Sequence, residues 1–247
     1  MTATTIDQKE EFVWDNSHLF TTTTESEKEE IIQFEGSIPK WLKGNLYRNG
    51  PGANEINGDP TTGVNHAFDG FAFIQKYNID GPSQSVGFRG SFIKSYIYTN
   101  SLKNGYLTSR QFGTDPCKSI FGRFQSTFFK RAARFSTDDT GVTVQMVNKE
   151  LLALTETVTG NVLDSDTLER VGPLTTLPYA KSVESEILTI TTAHVMYDEK
   201  RKMTIGYASR MTRKQHWLDV IFIYEDDATA KPEKKGMITM TERFSKK

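Results

Sequence analysis

Hydrophobic and polar residues alternate along several short segments of the chain, which is the period of a strand with one buried face. Turn clusters such as Asp80-Gly81-Pro82 and Thr159-Gly160-Asn161 separate these segments. The pattern predicts strands over residues 70–79, 85–98, 142–157, 187–194, 202–208 and 218–224, with two short strands between 161 and 171. Short strands joined by tight turns favour an antiparallel all-β fold, which is a barrel, a sandwich or a propeller.

The first 34 residues differ from the rest of the chain, because they are polar, rich in Thr and Glu, and weakly patterned. They predict a polar N-terminal extension over 1–34, with one short helix near 26–32. The β fold is then expected over 35–247. Near its start, the pairs Asn49-Gly50 and Pro51-Gly52 are typical of turns.

One segment departs from the strand pattern and reads IFGRFQSTFFKRAARF over 120–135. Phe121, Phe124 and Phe128 fall on one side of a helix, and four basic residues accompany them. The segment predicts a short amphipathic helical insertion. Such a helix either lies in a membrane interface or packs its Phe side chains into the core, and the periodicity leaves both alternatives open.

Composition narrows the class of protein. The 247 residues carry a net charge of −1, which gives no indication of a nucleic acid partner. A single cysteine excludes an intrachain disulfide framework and suits a reducing compartment. No apolar run reaches the roughly 18–20 residues of a spanning helix, and the N-terminus has no apolar signal core. We therefore expect a cytoplasmic protein, with peripheral membrane contact as an option.

The chain has four histidines: His18, His66, His194 and His216. His18 lies in the polar extension and His216 in an apparent turn, so both are expected to be exposed. His66 and His194 adjoin strand segments, where a structural role and a ligand role are both open. No HExxH motif and no Cys/His pair at ligand spacing is present. A propeller can bring single histidines from several blades to its axis without any local spacing signature.

Two further residues are candidates for chemistry. Glu156 lies within the apolar segment LLALTET, over 151–157, where a carboxylate either faces water at a strand end or has a specific partner. Cys117 follows Asp115-Pro116 and has no neighbouring feature that would activate a thiolate. A phosphate-binding P-loop and a GxSxG nucleophile elbow are both absent from the sequence.

Five segments, taken in order, resemble the carotenoid oxygenase family. They read PKWLKGNLYRNGPG over 39–52, HAFDGFAF over 66–73, FGTDPCKSIFGRF over 112–124, LLALTET and DSDTLE over 151–169, and TTAHVMYD over 191–198. The resemblance implies a seven-bladed β-propeller with ferrous iron on its axis, held by four histidines from separate blades. This chain would supply the first blades only, and we expect it to be the N-terminal half of such a protein.

The resemblance assigns roles to particular residues. His194 matches an iron ligand, and Glu156 matches a carboxylate that supports a ligand from behind. Thr155 and Phe112 match positions near the substrate tunnel. His66 and Asp69 match a motif that is structural in the family. A membrane-contacting patch is matched by Cys117, Phe121, Phe124 and Phe128.

The activity implied by the resemblance is cleavage of a carotenoid or apocarotenoid double bond by O2, with Fe2+ as cofactor. Retinoid isomerohydrolase chemistry is an alternative within the family. A catalytically inactive fragment, or a protein that binds lipid or another partner without turnover, is the alternative from another class. The chain departs from the family at Ala193-His194-Val195-Met196, where the usual reading is AHPH, and it ends near the position expected for the second ligand.

Overall fold

The computed structural model describes residues 20–116, 137–174, 188–211, 216–225 and 239–242. These residues form three antiparallel sheets and one α-helix, so the all-β prediction is confirmed in its main point. The elements of the first sheet and the helix that follows it are β1 (Glu30–Ile31), β2 (Lys43–Ala53), β3 (Phe71–Asp80), β4 (Ser85–Phe92) and α1 (Tyr96–Asn104). The strand order in this sheet is β1-β4-β3-β2.

The other two sheets follow in chain order. The second sheet has β5 (Thr143–Val147), β6 (Glu150–Leu154), β7 (Gly160–Leu163) and β8 (Arg170–Pro173), paired in that order. The third sheet has β9 (Leu188–Thr191), β10 (Met196–Asp198), β11 (Met203–Met211), β12 (His216–Tyr224) and β13 (Thr239–Glu242). Its order is β10-β11-β12-β13, and β9 pairs with β11 as well.

Strand β2 runs straight through two pairs that the sequence predicts to be turns. Its residues pair with β3 up to Pro51 opposite Ala72, and the register shifts only between Pro51 and Ala53. The turn prediction for Asn49-Gly50 and Pro51-Gly52 was therefore wrong. Close packing explains the glycine, because a Cβ on Gly52 would lie 2.4 Å from the Cβ of Phe73.

The strand predicted over 85–98 is in fact a strand followed by a helix. Strand β4 ends at Phe92, and the Oγ of Ser95 then accepts a hydrogen bond from the backbone N–H of Tyr98 at 3.1 Å. This bond caps the first turn of α1. The helix ends at Gly105, whose φ of +71° is the left-handed conformation common at helix C-termini.

The strand predicted over 142–157 is a hairpin of β5 and β6. Asn148 and Lys149 connect the two strands with φ values of 48° and 68°, which are typical of a type I′ turn. Two short strands were predicted between 161 and 171, and β7 and β8 confirm them with slightly different ends.

Residues 20–34 lie against the first sheet. The backbone N–H of Thr23 donates to the carbonyl of Gly52 at 2.7 Å, and β1 pairs with β4. The short helix predicted near 26–32 was wrong, because the sheet edge satisfies the backbone groups of this segment in an extended conformation.

Strand β6 is the centre of the hydrophobic core. Leu151 and Ala153 pack into a cluster with Ile74 of the first sheet, while Leu152 and Leu154 pack into a cluster with Ala193 of the third. Successive side chains of a strand point to opposite faces, so β6 is buried on both. This double burial explains why its sequence is a continuous apolar run.

The predicted helical insertion over 120–135 lies outside the described residues, as do the four residues of the predicted membrane patch. Within the described ranges, no helix is long and apolar enough to cross a membrane.

Candidate functional site

His194 lies in an interruption of the edge strand of the third sheet. Strand β9 pairs with β11 up to Thr191 opposite Ala208, and β10 resumes the pairing at Met196 opposite Ile205. The four residues 192–195 therefore stand opposite only two residues of β11, 206–207. Extra residues on one strand make the backbone bulge out of the ladder. The bulge leaves the side chain of His194 exposed, although Ala193 beside it is fully buried.

Two threonine hydroxyls tie this bulge to the hairpin of the second sheet. The Oγ1 of Thr143 donates to the backbone carbonyl of Ala193, the residue before His194. The Oγ1 of Thr191 donates to the backbone carbonyl of Thr157. These contacts join the two sheets just before the bulge and within it.

A third threonine acts inside the bulge. The backbone N–H of His194 donates to the Oγ1 of Thr192 at 3.0 Å, and the backbone N–H of Thr192 donates to the carbonyl of Tyr207 at 2.9 Å. Gly206 lies beneath, where a Cβ would come within 3.1 Å of the Cγ1 of Val195. Thr143, Thr191 and Thr192 together form what we term the threonine clamp.

Glu156 lies two residues after the end of β6 at Leu154, and its side chain is exposed. The strand predicted to residue 157 ends at Leu154. The exposed side chain of Glu156 agrees with the alternative of a carboxylate that faces water at a strand end. Thr155, between them, is half-buried. Glu156 directly precedes Thr157, whose carbonyl receives the bond from Thr191. The threonine clamp thus joins the segment that carries Glu156 to the segment that carries His194.

Thr143 also connects this region to the first sheet. Its backbone carbonyl accepts a hydrogen bond from the Nδ2 of Asn49 at 2.8 Å, and the same Nδ2 donates to the carbonyl of Thr140 at 2.6 Å. Asn49 is in β2 and Thr143 is in β5. Edge strands therefore connect the three sheets. Strand β2 of the first sheet contacts β5 of the second, and β5 contacts the interrupted edge strand β9–β10 of the third.

Phe112 belongs to an exposed aromatic cluster with His66 and Phe68. Its ring centroid lies 5.0 Å from that of His66, which lies 4.9 Å from that of Phe68. Phe112 is 73% exposed and Phe68 is 78% exposed. The Nδ1 of His66 accepts from the backbone N–H of Phe68 at 3.1 Å, so His66 caps the 3₁₀ turn Ala67–Asp69. The sequence analysis missed Phe68, and its only signal was its place in the HAFDG segment.

Asp69 joins this turn to the FGT segment. Its Oδ2 accepts from the backbone N–H of Gly113 at 2.9 Å and from the Oγ1 of Thr114 at 2.7 Å. Asp69 is only 2% exposed, and its Oδ1 has no hydrogen-bond partner among the described residues. The structural role expected for His66 and Asp69 agrees with these contacts.

A second buried carboxyl, on Asp139, lies close to Asp69 and was not singled out in the sequence. Its Oδ1 accepts from the backbone N–H of Ala72 at 2.9 Å. Burial raises the pKa of Asp139 to about 7, and the neighbouring charges of Asp138 and Asp69 act in the same direction. The sequence signal that could have identified Asp139 is the pair of adjacent acids, Asp138 and Asp139, directly before the strand pattern of β5.

The described residues provide part of a metal site at most. They contain no group of three or more His, Cys, Asp or Glu side chains that could hold a metal ion. His194 supplies an exposed imidazole, which is a ligand that suits iron and other transition metals. Glu156 supplies an exposed carboxylate. The imidazole fits a single iron ligand and the carboxylate fits a hydrogen-bond acceptor for a ligand histidine, so further ligands would have to come from elsewhere.

Comparison with known proteins shows which family the chain resembles over most of its length. The model of the family described as retinal pigment epithelial membrane protein matches residues 19–242. The mitochondrial carotenoid-cleaving dioxygenase of Pongo abelii is 37% identical over 158 residues, which is 62% of this chain and 27% of the relative. The beta,beta-carotene 15,15'-dioxygenase of Gallus gallus is 28% identical over 223 residues, which is 88% of this chain and 40% of the relative.

Solved structures share the fold. A cobalt-substituted Synechocystis apocarotenoid oxygenase superposes with a TM-score of 0.66 at 20% identity, covering 92% of this chain and 44% of that protein. A chimera of an apocarotenoid oxygenase gives the same score and coverage. The chain therefore spans less than half the length of the solved structures and curated relatives described here.

Proposed function

Because the chain belongs to the retinal pigment epithelial membrane protein family, we propose that it forms part of an iron(II)-dependent oxygenase that cleaves a carotenoid or apocarotenoid double bond with O2. The observation that carries the proposal is the exposed imidazole of His194, held in a strand bulge that is tied to the segment of Glu156. The names of the relatives, which are carotenoid-cleaving enzymes, support the substrate class.

His194 is the proposed iron ligand of this chain. Ferrous iron, when bound, supplies the activation of O2 for its addition across a polyene double bond. The imidazole of His194 contributes a neutral nitrogen donor, and the carboxylate of Glu156 is proposed to accept the ring N–H of an iron-bound histidine. Such an acceptor fixes the tautomer and the orientation of a ligand imidazole. The other ligands implied by the family resemblance are not among the described residues.

Phe112 and Thr155 are proposed to contact the substrate. A polyene has no hydrogen-bonding groups along its chain, so its position depends on shape and on contact with apolar and aromatic side chains. The exposed ring of Phe112, beside Phe68, offers a surface of this kind. Thr155 is half-buried next to Glu156.

The proposed architecture is a seven-bladed propeller to which residues 35–247 contribute the first blades, with 1–34 as an extension. The three consecutive antiparallel sheets support it, because each meets the next through an edge strand. In a propeller the inner edges of the blades line a central channel, where ligands from separate blades converge. His194 lies on an edge of the third sheet, which supports its proposed place beside such a channel.

Peripheral contact with a membrane is part of the proposal, and it depends on Cys117, Phe121, Phe124 and Phe128. An enzyme that takes an apolar polyene from a bilayer needs a surface that inserts into the interface. The cytoplasmic location expected from the sequence stays a prediction, and the Pongo abelii relative is named as mitochondrial.

The test is turnover by a protein that contains this chain together with the remaining proposed iron ligands, reconstituted with Fe(II) without oxygen and then given β-carotene or an apocarotenal in micelles under 18O2. Aldehyde products that carry the label, and that disappear in His194→Ala but persist in His18→Ala, are the expected result. Saturable binding of the polyene without products would favour lipid binding over catalysis and contradict the proposal. Absence of both binding and turnover would contradict both functions.

A further inference from the structure

We propose that the threonine clamp, Thr143, Thr191 and Thr192, is a positioning device that sets the imidazole of His194 relative to Glu156. The inference rests on the proposed function of His194 as a metal ligand. None of the three threonines is proposed to touch the metal or the substrate. They act through the backbone that leads into His194.

The bulge needs hydrogen bonds from side chains because it is too long to be held by the regular backbone bonds of a strand. Residues 192–195 face only two residues of β11, so regular ladder bonds cannot hold all of them. The segment is nevertheless buried on its backbone side, since Thr191, Thr192 and Ala193 are 3%, 6% and 0% exposed. Buried carbonyl and N–H groups without partners are costly, and here the hydroxyls of the clamp supply them.

The position of each bond explains why the clamp acts on the site. Thr143 holds the carbonyl of Ala193, immediately before His194. The Oγ1 of Thr192 holds the N–H of His194 itself. The peptide group that leads into His194 is therefore held through both its carbonyl and its N–H, which restricts the backbone from which the imidazole extends.

The bond from Thr191 extends this control to the second site residue. It ends on the carbonyl of Thr157, the residue after Glu156. Because Thr143 and Thr157 lie at the two ends of one hairpin region, the bulge is attached to the second sheet at two points. These two attachments restrict movement of the backbone that carries His194 relative to the backbone that carries Glu156.

Substitution of single hydroxyls tests the clamp. Thr143→Val and Thr191→Val remove one hydrogen bond each with little change in side-chain volume, whereas Thr143→Ser and Thr191→Ser keep the hydroxyl. Thr99→Val is a matched control, because the Oγ1 of Thr99 donates to the carbonyl of Ser95 at 2.8 Å within α1. The chain has four histidines, so labelling them with 15N gives few ring signals, and His194→Gln identifies that of His194.

Two readouts are measured on each folded variant: the mobility of the His194 ring without metal, from 15N relaxation, and the affinity for Co2+ from titration. Both Val variants are expected to raise the ring mobility and to weaken Co2+ binding by about 10–100-fold, the usual effect of losing support behind a metal ligand. The Ser variants and Thr99→Val are expected to match the wild type. Thr143→Val and Thr191→Val each test the clamp independently. If one of them fails to fold, the other still gives the result.

Failure of the clamp inference and failure of the ligand assignment give different results. If the Val variants keep wild-type ring mobility and Co2+ affinity, the clamp does not position His194 and the inference is overturned. If the wild type itself binds no Co2+ at His194, the ligand assignment in the proposed function fails. The ring mobility of the Val variants then still decides whether the clamp positions the side chain.

Discussion

The hydroxyl of Thr191 donates a hydrogen bond to the backbone carbonyl of Thr157, and this contact joins the third sheet to the second. Thr157 directly follows Glu156, and Thr191 lies three residues before His194. Glu156 and His194, which are 38 positions apart in the chain, thereby lie on two segments that the same hydrogen bond holds together. The relation is physical support for assigning both to one site.

The buried carboxyl of Asp139 makes stability depend on pH. Its pKa is raised from the ordinary 3.8 to about 7, so between these values the folded chain binds a proton that the unfolded chain releases. The free energy of unfolding therefore contains a contribution that is complete below pH 3.8 and is lost as the pH rises to about 7. The loss is at most about 1.4 kcal/mol per pH unit, the limit for one proton.

Asp139→Asn is expected to remove this contribution, because an amide cannot ionise and still accepts from the N–H of Ala72. Urea unfolding at a series of pH values between 4 and 8 measures the difference in the free energy of unfolding between variant and wild type. The variant should gain stability relative to the wild type as the pH rises. Asp80→Asn is the control and should show no such gain, since hydrogen bonds from Ser83 and Lys43 lower the pKa of Asp80, and this carboxyl is ionised in the folded state across the range. Parallel curves for Asp139→Asn and the wild type would show that Asp139 does not titrate in this range.

Gly113 is predicted to be required for the contact between the HAFDG and FGT segments. A Cβ at this position would lie 2.7 Å from the Cβ of His66, so Gly113→Ala forces the two segments apart. We expect a loss of about 1–3 kcal/mol in the free energy of unfolding, which is typical of overpacking. Gly172→Ala is the control, because a Cβ there meets no atom within 4 Å. Equal stability of the two variants would mean that the segments adjust without strain.

The all-β class and most strand positions followed from the sequence. The exceptions arise where local residue preferences and the contacts between strands and sheets disagree. The apolar run of β6 predicted a strand, yet only the packing of two other sheets on its opposite faces explains why it does not alternate. Asn49-Gly50 and Pro51-Gly52 look like turns locally, and the pairing of β2 with β3 overrides that preference. Helix α1 was missed because its aromatic and β-branched residues resemble those of a strand.

The candidate site was less accessible to sequence reasoning than the fold. His194 and Glu156 were identified through the family resemblance, and their spacing alone carries no metal signature. The bulge around His194 depends on the register of β9 and β10 with β11, which a single sequence does not specify. The threonine clamp consists of residues that are common on strand surfaces, and only the contacts across sheets distinguish them.

The Phe-rich segment is expected to bind membranes, on the basis of its sequence pattern and the family resemblance. Replacing Phe121, Phe124 and Phe128 together by Ser should weaken binding to vesicles that contain anionic lipid, since each Phe lost removes apolar area from the interface. Sedimentation with vesicles measures the bound fraction. Trp41→Ser is the control, because Trp41 is an exposed aromatic elsewhere, at 82% exposure. Unchanged vesicle binding with a large fall in Tm would instead favour packing of these Phe residues in the core.

The central claim is that His194 is an iron ligand, and the iron retained per chain tests it most directly. The wild type, His194→Ala and His18→Ala, each in a protein that also carries the remaining proposed ligands, are reconstituted with Fe(II) without oxygen, desalted, and analysed for iron by mass spectrometry. The account predicts that the wild type and His18→Ala retain equal amounts of iron and that His194→Ala retains much less. Equal iron in His194→Ala and the wild type would contradict it.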